Sequence, residues 1–206
     1  MPDLHSMARS LPEIFTAPKT STASGKIIGG REEQQDACTI VSFSDEDGCE
    51  SELFLLADGM GGHAGGQIAA QLAIESFQNN FLAEQSSTID QRLHNSLMAA
   101  NARLKTQIDM VSELDGMGCT LVAAILRKEC DLHWISVGDS HLYRFGPSRL
   151  SKLNADHSMA PQIDQQEASG EITAEQSRNH PNRNVLVSAL TGNRIALIDQ
   201  GNCKIA

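Results

Sequence analysis

The sequence is short of long apolar runs, of basic residues and of paired cysteines. No stretch approaches the roughly 20 apolar residues that a membrane-spanning helix needs. The opening residues, Met1-Pro2-Asp3-Leu4-His5, lack the basic start and apolar core of a secretory signal. Lys and Arg together number 16 against 26 Asp and Glu, a formal charge of −10. That balance argues against a non-specific grip on nucleic acid or on an anionic membrane. The expectation is a soluble, cytoplasmic protein with neither nucleic acid nor membrane as partner. The cysteines, Cys38, Cys49, Cys119, Cys130 and Cys203, are odd in number, and no two have Cys-x-x-Cys spacing. Reduced structural thiols are the expectation.

What is present is concentrated in one run, Ala57-Asp58-Gly59-Met60-Gly61-Gly62-His63-Ala64-Gly65-Gly66. It follows the apolar Leu53-Phe54-Leu55-Leu56, which reads as a buried strand, and precedes a helical segment. A carboxylate therefore sits at a strand end, among glycines that let backbone approach closely, with an imidazole five residues on. Such a grouping suits a hard metal and a phosphate. The plainer alternative is a glycine-rich turn, since Asp-Gly is common in turns.

The 206 residues suffice for one substantial domain. Residues 1–25, with three prolines and the run Thr20-Ser21-Thr22-Ala23-Ser24-Gly25, read as a loosely ordered leader, and 26–206 as the domain. Strand character is predicted at Lys26-Ile27-Ile28, Ala37 to Phe43 and Leu53 to Ala57, the last two forming a hairpin across an acidic turn. Helices are predicted over Gly66 to Phe81, with Ala70, Ile74, Phe77 and Phe81 on one stripe, and over Thr88 to Asp109. Ile89, Leu93, Leu97, Ala100, Leu104 and Ile108 line the second helix at spacings of three and four. Further strands are predicted at Thr120 to Leu126, Leu132 to Val137, His141 to Phe145, Val185 to Leu190 and Ile195 to Ile198. Short helical pieces fall near Ile163 to Ser169 and Ala174 to Ser177. The order strands, helix pair, strands gives an α+β domain with the helices on an antiparallel sheet.

Three other fragments carry the same residue types: Arg31-Glu32-Glu33-Gln34-Gln35-Asp36, Val137-Gly138-Asp139-Ser140 and Asp156-His157-Ser158. Taken singly, Gly-Asp-Ser is an ordinary turn and an Arg among acids an ordinary surface cluster. In order along the chain, with the intact Asp58 to His63 run, Met117-Gly118-Cys119-Thr120 and the looser Leu186-Val187-Ser188-Ala189-Leu190-Thr191-Gly192, they resemble the metal-dependent serine/threonine protein phosphatases of the PPM, or type 2C, family. The resemblance spans residues 31 to 192.

That resemblance implies an α-β-β-α sandwich of two antiparallel sheets flanked by helix pairs. It implies hydrolysis of phosphoserine and phosphothreonine by direct attack of a metal-bridged water. Asp58 would bridge two Mn²⁺ or Mg²⁺ ions, the Gly59 carbonyl would bind one of them, and Asp139 would help to hold a third. Arg31 would hold the substrate phosphate, His63 would protonate the leaving oxygen, and Asp36 would act through water. Gln35 stands where many relatives carry Glu. A phosphorylated protein substrate and a cognate Ser/Thr kinase are the implied partners. The family pattern continues with Ser-Asp-Gly and Asp-Asn acids that these residues do not contain; after Gly192 only Asp199 is acidic. The expectation is a C-terminally incomplete phosphatase domain, either active or acting as a phosphoprotein-binding module or a fragment without function of its own. The polar stretch Asp156 to Asn182 would be a flap beside the site, with Asp164, Glu167, Glu171 and Glu175 as solvated helix-face charges.

Overall fold

Residues whose apolar side chains alternate along the chain have built a sheet, and residues whose apolar side chains recur every three to four have built its cover. The structure, a computed structural model, describes residues 21–28, 30, 33–45, 48–61, 65–85, 87–127 and 130–205. Strands β1 (Asp36–Ser44) and β2 (Glu50–Met60) form an antiparallel hairpin. Helices α1 (Gly65–Ala83) and α2 (Ile89–Met110) follow, then a single 3₁₀ turn at Ser112–Leu114. Strands β3 (Gly118–Cys119), β4 (Leu121–Arg127) and β5 (Asp131–Val137) return to the sheet. A short ribbon, β6 (Tyr143–Phe145) and β7 (Leu150–Lys152), precedes helices α3 (Ala160–Ala168) and α4 (Ala174–Arg178) and the closing strand β8 (Asp199–Lys204).

The main sheet runs in the order β1-β2-β4-β5-β8, with β3 paired to the end of β2; every pairing is antiparallel. Helices plus antiparallel sheets place the chain in the α+β class. The second sheet among the described residues is the ribbon β6-β7.

One sheet face carries Leu53, Leu55, Ala57, Leu121, Ala123, Ile125, Ile135 and Val137, all buried against the helix pair. The predicted stripe of α1 (Ala70, Ile74, Phe77, Phe81) is buried there, as are Leu93, Leu97, Ala100 and Leu104 of α2; Ile89 and Ile108 are partly buried at its ends. Thr88 starts α2 with a capping box: its hydroxyl accepts the Gln91 N–H, and the Gln91 side chain accepts the Thr88 N–H. The opposite sheet face carries Ala124, Leu132 and Trp134, packed by Leu142 and Leu153 from either side of the ribbon.

Three expectations are corrected. Lys26 to Ile28 is exposed and outside any strand. Val185 to Leu190 is not a strand but an irregular segment with two isolated bridges, Leu190 to Cys119 of the sheet and Leu186 to Ser158 in the segment after β7. Ile195 to Ile198 likewise forms no strand; the closing strand is instead the polar Asp199–Lys204. In none of these does a continuous ladder form along the apolar run, while β8 pairs along its length with β5 despite a composition with no strand signal. All five cysteines are free.

Candidate active site at one end of the sheet

Hairpin register, more than local sequence, assembles the site. Because β1 and β2 pair with Asp36 opposite Asp58, both carboxylates project from the same sheet face at the same end. Both are exposed. Two like charges directly opposite weaken a ladder and favour a cation beside them. β5 runs parallel in space to β2, so its end also reaches this rim, and Asp139 follows it in the turn Gly138-Asp139-Ser140.

The rim opens into two clefts that share Gln35, Asp58, Gly59 and Gly61. One, of about 650 Å³, is lined by Gln34 and Asp36. The other, of about 710 Å³, is lined by Thr120, Asp139, Ser188 and Arg194. Asp58 thus stands on the ridge between a pocket holding Asp36 and a pocket holding Asp139.

Backbone packing fixes the ridge. A Cβ on Gly59 would lie 2.1 Å from the Gly66 carbonyl oxygen, so the strand end and the start of α1 touch backbone to backbone. The Gly59 N–H donates to the Gln35 carbonyl at 3.2 Å, tying the segment before β1 to the same point. Thr120 joins the ridge to the Asp139 turn. Its Oγ1 accepts the Asp58 N–H at 3.1 Å and lies 2.6 Å from Ser140 Oγ, while its N–H donates to the Asp58 carbonyl at 2.9 Å.

The Asp139 turn is held on its other side by the segment after β7. Gly138 and His157 bond twice: the Gly138 N–H donates to His157 Nδ1 at 3.2 Å, and the His157 N–H donates to the Gly138 carbonyl at 3.1 Å. His157 is buried, and burial pulls its pKa below the ordinary histidine range against the charges of Asp199 and Asp156. The neutral ring is the form that accepts from Gly138. Burial of the neighbouring Asp156 carboxyl pushes its pKa up, but hydrogen bonds from Ser158 and the charge of Lys152 outweigh this, and the net shift is downward. In the adjoining segment Asp164, read as a solvated charge, pairs with Arg183 at 2.7 Å while staying about half exposed.

Of the residues the sequence singled out, Asp36, Asp58, Gly59 and Asp139 are brought to one rim. Arg31 and His63 lie outside the described residues. Sequence reasoning passed over Asn154 and Arg194. A buried Asn in a polar segment has no periodic signature, and Arg194 reaches the cleft only because residues 184–196 fold across it. Cys119 lies close by, yet burial, reinforced by the Asp58 charge, pushes its thiol up to about 12. It is therefore no nucleophile near neutral pH.

Among the described residues no three His, Cys, Asp or Glu side chains converge as a metal cage. The donors on the rim are all oxygen, and a hard cation such as Mg²⁺ is commonly held by one or two carboxylates, its shell completed by water and substrate phosphate. The donor set fits such an ion.

The family model Protein phosphatase 2C matches residues 28–199. The chain belongs to this family. Phosphatase 2C relatives include the serine/threonine protein phosphatase PstP of Mycobacterium tuberculosis, 33% identical over 145 residues, which cover 70% of this chain and 27% of PstP. Among solved structures, the serine/threonine phosphatase Stp1 from Staphylococcus aureus superposes with a TM-score of 0.69 at 26% identity, over 85% of this chain and 67% of Stp1. The catalytic domain of PstP in complex with two manganese ions superposes with a TM-score of 0.58 at 26% identity, over 82% and 71% of the two chains. The chain spans about a quarter of the PstP sequence and about half of the Listeria welshimeri phosphatase stp that it also matches.

Proposed function

We propose that this chain is a divalent-metal-dependent protein serine/threonine phosphatase. The observation that carries the reading is the rim itself: in a phosphatase 2C chain, Asp36, Asp58, Gly59 and Asp139 meet at one sheet end, beside two polar clefts. Asp58, the Gly59 carbonyl and Asp139 would hold Mn²⁺ or Mg²⁺, and the manganese-bound PstP domain supports the choice of metal. Such ions supply charge neutralisation for the phosphoryl oxygens and lower the pKa of the attacking water. Asp36 would orient that water from the neighbouring strand. Arg31 would take the phosphate through a bidentate contact, and His63 would protonate the leaving Ser or Thr oxygen. Attack on phosphorus would be direct, by water, as the family resemblance implies; in keeping with this, the Cys119 thiol beside Asp58 is held neutral by burial. The substrates are phosphoproteins of the cytoplasm, including those made by a cognate Ser/Thr kinase.

That no three His, Cys, Asp or Glu side chains cluster among the described residues favours a second reading, a module of phosphatase ancestry that binds phosphoproteins without turnover. Hydrolysis of p-nitrophenyl phosphate by the purified chain, with Mn²⁺ and with chelator, separates the two. Manganese-dependent release is expected, falling by about 100-fold or more in Asp58→Asn, since lost electrostatic stabilisation of several kcal/mol converts at about 1.4 kcal/mol per tenfold. A folded chain without turnover overturns the enzymatic reading.

A further inference from the structure

The turn that carries Asp139 leaves β5 at Val137 and rejoins a strand only at Tyr143. Between those points no sheet ladder holds it. Buried side chains do: His157 holds its start at Gly138, and Asn154 holds the rest. Asn154, 5% exposed, spans the turn with its whole amide. Its Oδ1 accepts the Leu142 N–H at 2.7 Å. Its Nδ2 donates to the Ser140 carbonyl at 2.8 Å and to Ser136 Oγ at 3.1 Å. The amide orientation is dictated by these partners, because a backbone N–H needs the oxygen and a carbonyl needs the nitrogen. The contacts bracket Asp139 on both sides, at Ser136 before it and at Ser140 and Leu142 after it.

The chain of contacts continues beyond the turn. Ser140 Oγ meets Thr120 Oγ1 at 2.6 Å, and Thr120 Oγ1 accepts the Asp58 N–H. The backbone of Asp58 and the turn of Asp139 are thus linked through two hydroxyls to one buried amide.

We propose that Asn154 is a positioning residue: it sets the Asp139 turn relative to Asp58, so that the two carboxylates share one cleft at the spacing a divalent ion requires. The part of this that concerns metal rests on the reading of the site as a metal-dependent phosphatase; the part that concerns the turn does not. A mutation in such a supporting partner lowers metal affinity by about 10- to 100-fold in metal sites generally.

The test uses the full chain and Asn154→Asp, which keeps the acceptor for Leu142 but turns an oxygen toward the Ser140 carbonyl. Asn154→Ser serves if the aspartate does not fold. In the metal-free protein, amide hydrogen exchange over residues 138–142 is expected to speed up by about tenfold or more, as loss of a hydrogen bond worth roughly 1.4 kcal/mol implies, while α2 and β4 stay protected. Mn²⁺ affinity, read by electron paramagnetic resonance, is expected to fall about 10- to 100-fold. Adding Asp139→Asn should then cost nothing further, because both changes act through one carboxylate. Wild-type exchange in the variant overturns the proposal, and so do losses that simply add in the double variant. A wild-type chain that binds no Mn²⁺ and shows no turnover removes the phosphatase reading and the metal part of the proposal, and the exchange result still decides whether Asn154 holds the turn.

Discussion

Gly138 shows how little room the site leaves at single positions. Its φ of 104° is one that side chains rarely adopt, and an added Cβ would lie 2.6 Å from Thr120 Cγ2. Thr120 cannot swing away without losing its bonds to Asp58 and Ser140. Gly138→Ala therefore combines backbone strain of about 1–3 kcal/mol with overpacking of similar size. Urea denaturation should show a lower midpoint with an unchanged slope, and Mn²⁺ binding should weaken in parallel. An unchanged midpoint would mean that Thr120 moves freely, against the hydroxyl linkage described above.

At the scale of elements, the end of the sheet away from the rim is pinned by Arg92. This α2 residue is buried, with its guanidinium 4.0 Å from the Phe81 ring centroid. It donates to the Phe81 carbonyl at 3.0 Å near the C-terminus of α1, where a cation suits the helix dipole. It also meets Asp45, just past β1, at 2.9 Å, and Arg127 at the end of β4 approaches the same carboxylate at 3.6 Å. One side chain thus joins both helices to the hairpin turn. Arg92→Leu is expected to cost up to about 3–5 kcal/mol in urea unfolding, because it leaves a largely buried carboxylate with only the longer Arg127 contact. Asp45→Asn in the same chain should recover part of that loss. Full recovery by the second change alone would mean that the helix contacts contribute nothing.

For the whole molecule, His157 couples the rim to pH. Its folded pKa is depressed by burial, so the unfolded chain binds the proton more readily. Stability from this residue is present above the unfolded histidine pKa, about 6.5, and falls as pH drops from there toward the lower folded value. Asp199, Asp156 and Lys152 are the charges that face it. Asp156, whose folded pKa is also lowered, loses its contribution only under more acid conditions, below the ordinary carboxylate range. The unfolding free energy should decline between pH 7 and 5.5, and the decline should flatten in His157→Gln. An equal slope in both chains would place the titrating group elsewhere. The same scale reveals an uneven surface: α1 and α2 bury Leu53, Leu55, Leu121, Ala123, Ile125 and Ile135 of one sheet face, while Leu56 on the other face and Phe145 and Leu150 of the ribbon remain exposed.

Asp36, Asp58 and Asp139 were singled out by the order of their motifs along the chain, which resembles the phosphatase family; the amphipathic stripes of α1 and α2, the hairpin β1-β2 and the strands β4 and β5 were legible in the sequence directly. Each rests on local periodicity or on a contiguous run of residues. β8 was not legible, since Asp199–Lys204 has neither apolar alternation nor β-branched residues and is a strand only because β5 offers an open edge. Nor was the failure of Val185 to Leu190 and Ile195 to Ile198 to form strands, because an apolar run cannot report whether a partner backbone lies beside it. Asn154 belongs with these: its amide matters through Ser136, Ser140 and Leu142, which meet it only after the chain has turned through the ribbon. The sequence by itself determined which residues carry charge, apolar surface and conformational freedom, because those are properties of single residues and their spacing. Only the tertiary structure decided which carboxylates face one another and what holds them there, because hydrogen bonds and strand register join residues distant in the chain.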